Sequence, residues 1–204
     1  MISGPLDILA ARARLYSRAQ PSAASIAYVR SNGLALKSLG GPDPIAAAVG
    51  LLTVLRIAVL PNNRWDFCDG GAENGTSAVI IEAFGRDGST TADLVAWPIE
   101  DAATILTMFG RAEMLGLAHL YAASTYACGM PLMVYRTPLA WLQAGGRGVV
   151  IIDRTEAARH LLDAPGHIAG EDRQHSQELA HLVATLFDPA RFVAPVSTHM
   201  QEAA

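Results

Sequence analysis

The strongest constraint on this chain is a regular alternation that begins near Leu132. Short apolar runs at 132–135, 149–152, 167–169 and 191–196 are separated by helical patterns at 138–144, 155–163 and 174–187. Strands joined by helices through short connections pair in parallel, because a crossover helix returns the chain to the same end of the sheet. The C-terminal third therefore predicts an α/β unit with a mainly parallel sheet. Gly145-Gly146 closes one helix before the β-branched run that follows.

The preceding residues divide differently. From Pro5, the residues Leu6, Leu9, Ala13 and Tyr16 recur at helical spacing. A second helix is expected from Ser22 to a stop at Asn32-Gly33, and a third over about 44–60, ended by Pro61-Asn62-Asn63. Residues 64–68 read as a short strand. The runs 78–84 and 91–97 flank Gly85-Arg86-Asp87-Gly88 and read as a hairpin. Pro98 with Glu100-Asp101 reads as the start of a helix reaching 108. The expected organisation is a helical segment (1–61), a hairpin-and-helix region (62–128) and an α/β part (129–197), together one compact unit, with a loose tail.

Composition narrows the function classes. Hydrophobic residues make up 51% and the mean hydropathy is +0.26, which excludes a disordered chain. A net charge of −4 and a pI near 5.8 exclude a broad basic DNA-coating face. The first forty residues nevertheless carry Arg12, Arg14, Arg18, Arg30 and Lys37 against Asp7 alone. Arg12, Arg14, Arg18 and Arg30 are the candidate phosphate contacts, set against the simpler reading that they lie over apolar helices or pair with acids elsewhere. With 17% charged residues, a surface covered by a protein partner or a second copy is plausible. Cys68 and Cys128 are too few for a disulfide framework and fit a reducing cytoplasm. Residues 1–13 lack a signal-peptide pattern, and the apolar stretch 45–60 is interrupted by Thr53 and Arg56 and falls short of the ~20 residues of a span. No membrane role is expected.

Four stretches share a resemblance. They are "LYSRAQPSAASIAYVRSNGL" (15–34), "AVIIEAFGRDGSTTADLVAWP" (78–98), "PLMVYRTPLAWLQAGGRGVVII" (131–152) and "HIAGEDRQHSQELAHLVATLF" (167–187). In element order and residue class they resemble the toprim (topoisomerase–primase) domain of phage- and plasmid-type primases. There a helical lead-in and a hairpin precede a strand–helix–glycine–strand opening. The implied fold is a toprim-like, mainly parallel sheet with helical crossovers, preceded by an N-terminal helical segment and a β-hairpin.

The resemblance also implies a catalytic set: a glutamate after the first strand as general acid/base, and an Asp-x-Asp pair after the third strand to hold Mg²⁺. Here residues 114–152 contain no Asp or Glu, and Arg136 stands where the first acid is wanted. Glu171 and Asp172 lie where the acidic pair belongs, but adjacent rather than alternating, so on an extended backbone they point to opposite faces. Asp153, with Glu156, is an alternative register. Hard cations need carboxylate oxygens. Glu171, Asp172 and Asp153 are thus weak metal candidates, and no catalytic residue and no cofactor are expected.

Other patterns carry less. His160, His167, His175 and His181 lack the i, i+4 spacing of helical metal ligands and read as surface or capping residues. Gly145-Gly146-Arg147-Gly148 lacks the Lys-Ser/Thr of a phosphate-binding loop. Glu82, Asp93, Glu100 and Asp101 read as the wet face of the hairpin region. Ser124, Thr125 and Ser176 sit in no nucleophile elbow.

The function expected from the resemblance is a catalytically degenerate primase-type protein, accessory to DNA replication or another DNA transaction of a mobile element. The alternative is a non-catalytic structural or protein-interaction subunit with no nucleic-acid role. An active metal-dependent nucleotidyl enzyme would need a compact group of three acids.

Overall fold

The computed structural model describes residues 5–18, 22–34, 52–68 and 75–187. Two helices come first, α1 (Pro5–Arg18) and α2 (Ala23–Ser31). Ser22 caps α2, its hydroxyl accepting the Ser25 N–H at 3.1 Å. At the other end Gly33 takes φ +67°, which lets the Leu34 N–H return to the Val29 carbonyl at 2.9 Å.

Five strands follow: β1 (Thr53–Leu60), β2 (Arg64–Phe67), β3 (Thr76–Phe84), β4 (Thr91–Pro98) and β5 (Leu106–Thr107). They close into a barrel in the order β1-β2-β5-β4-β3. Asn62 and Asn63 adopt φ 61° and 54° in the β1–β2 turn, a conformation asparagine tolerates better than most residues. The β3–β4 hairpin runs from Ala78 opposite Pro98 to Phe84 opposite Thr91. Its turn is fixed by Asp87, whose carboxylate accepts the Ser89 and Thr90 N–H groups and the Thr90 hydroxyl. These bonds hold the Asp87 carboxyl far below its ordinary pKa.

Both faces of the hairpin are buried. Ala78, Ile80, Leu94 and Ala96 join Ile57, Trp65 and Leu106 in one cluster, which α1 completes with Ala11 and Leu15. Val79, Ile81, Val95 and Trp97 face the other way, towards Tyr28 and Val29 of α2. A strand covered on both sides reads as a continuous apolar run. Polar bonds set the fit: Trp65 Nε1 donates to the Leu94 carbonyl at 3.1 Å, Trp97 Nε1 to the Tyr28 hydroxyl at 3.2 Å, and the Val54 N–H to Ser25 Oγ at 3.0 Å.

The second sheet contains β6 (Met114–Leu115), β7 (Leu132–Tyr135), β8 (Val149–Ile151) and β9 (Ile168–Ala169), in the order β6-β8-β7-β9. β7 pairs in parallel with both β8 and β9, and β6 runs antiparallel to β8. The helices are α3 (Leu117–Tyr121), α4 (Pro138–Gln143) between β7 and β8, α5 (Arg154–Leu162) between β8 and β9, and α6 (Arg173–Ala184), with a kinked 3₁₀ segment at Ala123–Gly129. One face buries Leu132, Val134 and Val149 against Ala158 and Leu161 of α5 and Leu179 of α6. The other joins the barrel's outer cluster through Leu115, Trp141 and Val150.

The α/β class and the three parallel strands at 132–135, 149–152 and 167–169 stand as expected; the strand at 191–196 lies outside the described residues. Three expectations are corrected. The hairpin does not stand alone ahead of a mainly parallel sheet but belongs to a closed barrel that is mostly antiparallel. Residues 53–60 are a strand, not the end of a helix over 44–60, whose earlier part lies outside the described residues. "TVLRIAVL" satisfies a helical stripe, but its β-branched Thr, Val and Ile residues prefer a pleated surface, and pairing with β2 and β3 decides it. The helix expected from Pro98 to 108 is a turn followed by β5. Asp101 accepts the Ala103 and Thr104 N–H groups and so competes with helical bonding. Pairing also crosses the expected divisions, since β1 joins β2 and β3 while β6 joins β8.

Candidate functional site

In an open α/β sheet the crevice outside the carboxyl ends of parallel strands collects functional groups. β7 ends at Tyr135, so Arg136 is the first residue beyond the sheet, and Thr137 caps α4 by accepting the Ala140 N–H at 3.1 Å. Neighbouring β9 ends at Ala169, and Gly170 leads to Glu171 and Asp172. Asp172 is the N-cap of α6, its Oδ1 accepting the His175 N–H at 2.7 Å.

This layout brings Arg136 to the acids. Its Nη1 donates to Asp172 Oδ2 at 2.7 Å and its Nη2 to Oδ1 at 3.4 Å, a forked pair. Its backbone N–H donates to Glu171 Oε2 at 3.0 Å, and Nη2 lies 3.6 Å from Glu178 Oε2. Hydrogen bonding to Asp172 raises the Arg136 pKa, and the same contact holds the Asp172 carboxyl below the usual carboxylate range. The group is solvent-exposed, so its worth lies in fixing geometry more than in stability.

His175 lies beneath it, with its side chain 8% exposed. The Glu171 N–H donates to its Nδ1 at 3.2 Å, which requires that nitrogen to be unprotonated. Burial, then the nearby Arg136 charge, push the His175 pKa down. The 3.7 Å approach of Glu171 Oε2 to Nδ1 is therefore not an ion pair in the neutral ring. A cleft of about 400 Å³ opens beside these groups, lined by Tyr135, Arg136, Arg154, His175 and Glu178.

The residues here do not fit the Mg²⁺ that the resemblance implies. The acids surround a guanidinium that cannot lose its charge, and the same carboxylate oxygens already accept its N–H groups. Asp153 is spent elsewhere, capping α5 by accepting the Thr155 and Glu156 N–H groups at 2.8 and 3.1 Å. Among the described residues no group of three or more His, Cys, Asp and Glu is placed to hold a metal ion.

Three of the four candidate N-terminal arginines are engaged within the fold. Arg12 pairs with Glu82, which also accepts the Tyr16 hydroxyl at 2.8 Å and the Thr91 hydroxyl at 2.9 Å. Arg14 stacks on Phe67 with its guanidinium 4.6 Å from the ring centre and lies 3.9 Å from Asp66. Arg18 approaches the same ring at 5.2 Å. Arg30 lies in the last turn of α2.

Several sites escaped sequence reasoning. Glu82 and Asp93 are not on a wet face: they are 1% and 0% exposed. Glu82 closes the barrel end under α1. Asp93 accepts the N–H groups of Leu94, Phe109, Arg111 and Ala112 at 2.8, 2.9, 2.7 and 3.3 Å. His160 is neither a surface nor a capping residue. Its Nε2 donates to Glu113 Oε2 at 2.7 Å, and its Nδ1 accepts the Tyr121 hydroxyl at 2.5 Å. Its partners lie 39 and 47 residues away, so local spacing holds no signal for them. Comparison with family models, curated proteins and solved structures gives no match to this chain.

Proposed function

We propose that this chain is a non-catalytic, toprim-like protein, accessory to DNA replication or a similar DNA transaction of a mobile element. The observation that carries the reading is Arg136 at the carboxyl end of β7, clasped by Glu171 and Asp172 from the end of neighbouring β9. In the family it resembles, that crevice is where acids would hold a divalent cation. Here the counter-charge is a side chain of the protein, which balances the acids without supplying a Lewis acid or a metal-bound water.

Metal titration and DNA binding test it together. Calorimetric titration with Mn²⁺ is expected to show no micromolar site. Such a site, abolished by Glu171→Ala or Asp172→Ala, would overturn the reading. Fluorescence anisotropy with single-stranded DNA is expected to show weak binding that falls with salt and weakens further on replacing Arg14 and Arg30. Undetectable binding at low salt would favour a second reading, a protein-interaction subunit with no nucleic-acid role. That alternative draws its support from Arg12, Arg14 and Arg18, which lie against the protein's own acids and rings.

A further inference from the structure

The 39-residue span without Asp or Glu, residues 114–152, has a spatial counterpart. A cavity of about 680 Å³ is lined, among the described residues, by ones between His119 and Gly148, and none of these is a carboxylate. A wall that carries Arg147 and no such acid favours anions over cations, against the chain's overall charge of −4.

The cavity lies on the face of the second sheet that presents Met133 and Tyr135, since alternate residues of β7 share a face. The 3₁₀ segment, Met130, Ala144, Arg147 and Gly148 also belong to the described lining. Its apolar part consists of Met130, Pro131, Met133 and the Tyr135 ring, and Met130 is 62% exposed at the rim. Thioethers and a ring offer flat, adaptable contact to a planar body.

The polar part is small and cationic. Arg147 brings a guanidinium fork, and Ser124 and Thr125 bring adjacent hydroxyls. His119 donates through Nδ1 to the Gly148 carbonyl at 3.1 Å, leaving Nε2 for a ligand. That carbonyl also accepts Trp141 Nε1 at 3.1 Å, so this wall is fixed from two sides. A fork with two hydroxyls matches a tetrahedral oxyanion better than a lone carboxylate, which the fork alone would satisfy. A volume within the 300–1,000 Å³ range of ligand sites holds a base, a sugar and one phosphate.

We infer that this cavity binds a nucleoside phosphate, with the phosphate on Arg147, Ser124 and Thr125 and the base against Met133 and Tyr135. The site shares no charged residue with the Arg136 cluster, so it and the toprim-like reading can fail separately. The same chemistry could come from a free mononucleotide or from the phosphorylated end of a single strand.

Cys128, an exposed free thiol on the cavity wall, provides a reporter. The full chain would be alkylated with iodoacetamide, with and without thymidine or deoxyadenosine 5′-monophosphate, and modification at Cys128 and Cys68 mapped by mass spectrometry. Calorimetry with the same nucleotides gives affinities. At least one nucleotide is expected to slow alkylation of Cys128 several-fold and leave Cys68 unchanged. Its nucleoside and inorganic phosphate should each bind about tenfold more weakly, and Arg147→Ala should lower nucleotide affinity by about tenfold, a guanidinium–phosphate fork's share. Arg147→Lys should fall between, which separates a lost fork from a lost fold. Oligothymidylate with a 5′-phosphate binding more tightly than the mononucleotide assigns the site to a strand end; equal or weaker binding assigns it to the free nucleotide. No protection of Cys128 by any of these ligands at about millimolar concentration, or affinity unchanged in Arg147→Ala, overturns the proposal.

Discussion

Replacing Asp93 with alanine should cost this protein a large part of its stability. The carboxylate is fully buried at the start of β4. Its Oδ1 accepts the Leu94 and Phe109 N–H groups, and its Oδ2 accepts those of Arg111 and Ala112. Three of these donors belong to the segment that leaves the barrel after β5 and enters β6, so one side chain fastens the two sheets together. Hydrogen bonds to a charged group contribute about 1.5–3 kcal/mol each, and a buried donor left unpaired costs about 1–3 kcal/mol. Discounting for non-additivity and relaxation of the segment, the loss should be about 3–5 kcal/mol, against a total of about 5–15 kcal/mol for an ordinary domain. With a urea slope of about 2–3 kcal/mol per molar, the unfolding midpoint should fall by about 1–2 M. Asparagine is not a gentle substitute, because its NH₂ must face two N–H groups wherever it points. Asp93→Asn should keep at most about half of what alanine loses. Urea unfolding followed by circular dichroism measures both variants. If each stays within about 1 kcal/mol of the parent, the carboxylate does not hold the segment and the reasoning fails.

Two glycines with positive φ should respond very differently to alanine. At Gly148, with φ +85°, an added Cβ would lie 2.3 Å from the Met133 carbonyl oxygen, inside the β7–β8 pair; at Gly33, with φ +67°, it meets nothing within 4 Å. Gly33→Ala should therefore cost only the conformational penalty of about 1 kcal/mol, and Gly148→Ala at least about 2–3 kcal/mol, with equal costs in urea unfolding refuting the steric account. His175 gives a pH signature. Its folded pKa lies below the ordinary 6.5, so the unfolded chain binds the proton first as pH falls. Its contribution is complete above about pH 6.5 and is lost progressively below it, down to the lowered folded pKa. Stability should drop between pH 7.5 and 5.5 by less in His175→Gln than in the parent, and identical slopes would exclude the burial effect.

The sequence revealed most where one periodicity decided an element alone. The capping serine and glycine around α2, the β3–β4 hairpin and the alternation after Leu132 all used local chemistry: Ser22 at an N-cap, Asp87-Gly88 in a turn, β-branched 149–151 in a strand. It misled where tertiary pairing overrode a local preference. Residues 53–60 form a helical stripe and a strand with comparable plausibility, and only β2 and β3, on either side, resolve the ambiguity. Barrel closure was illegible for the same reason: β5 is two residues long, and its parallel contact to β2 is a single register pair. The absence of acids from 114–152 was legible at once, but that residues of the 3₁₀ segment and of β7 line one cavity depends on tertiary packing that no local pattern reports.

The acids themselves show why candidate sites were hard to read. Glu82, Asp93, Glu113, Asp153, Glu171 and Asp172 each look available on paper, yet each has a partner within the fold: a guanidinium for Glu82 and Asp172, an imidazole for Glu113, and backbone N–H groups for Asp93, Asp153 and Glu171. A carboxylate that already accepts such bonds is a poor metal ligand or general base, because recruiting it requires breaking a charge-assisted contact first. Sequence spacing reports where such groups sit along the chain and nothing about what they have already bound. The region without acids is the opposite case. Arg147 lines the cavity with no carboxylate among the described lining residues to offset its charge, and an anion is the entrant that it favours.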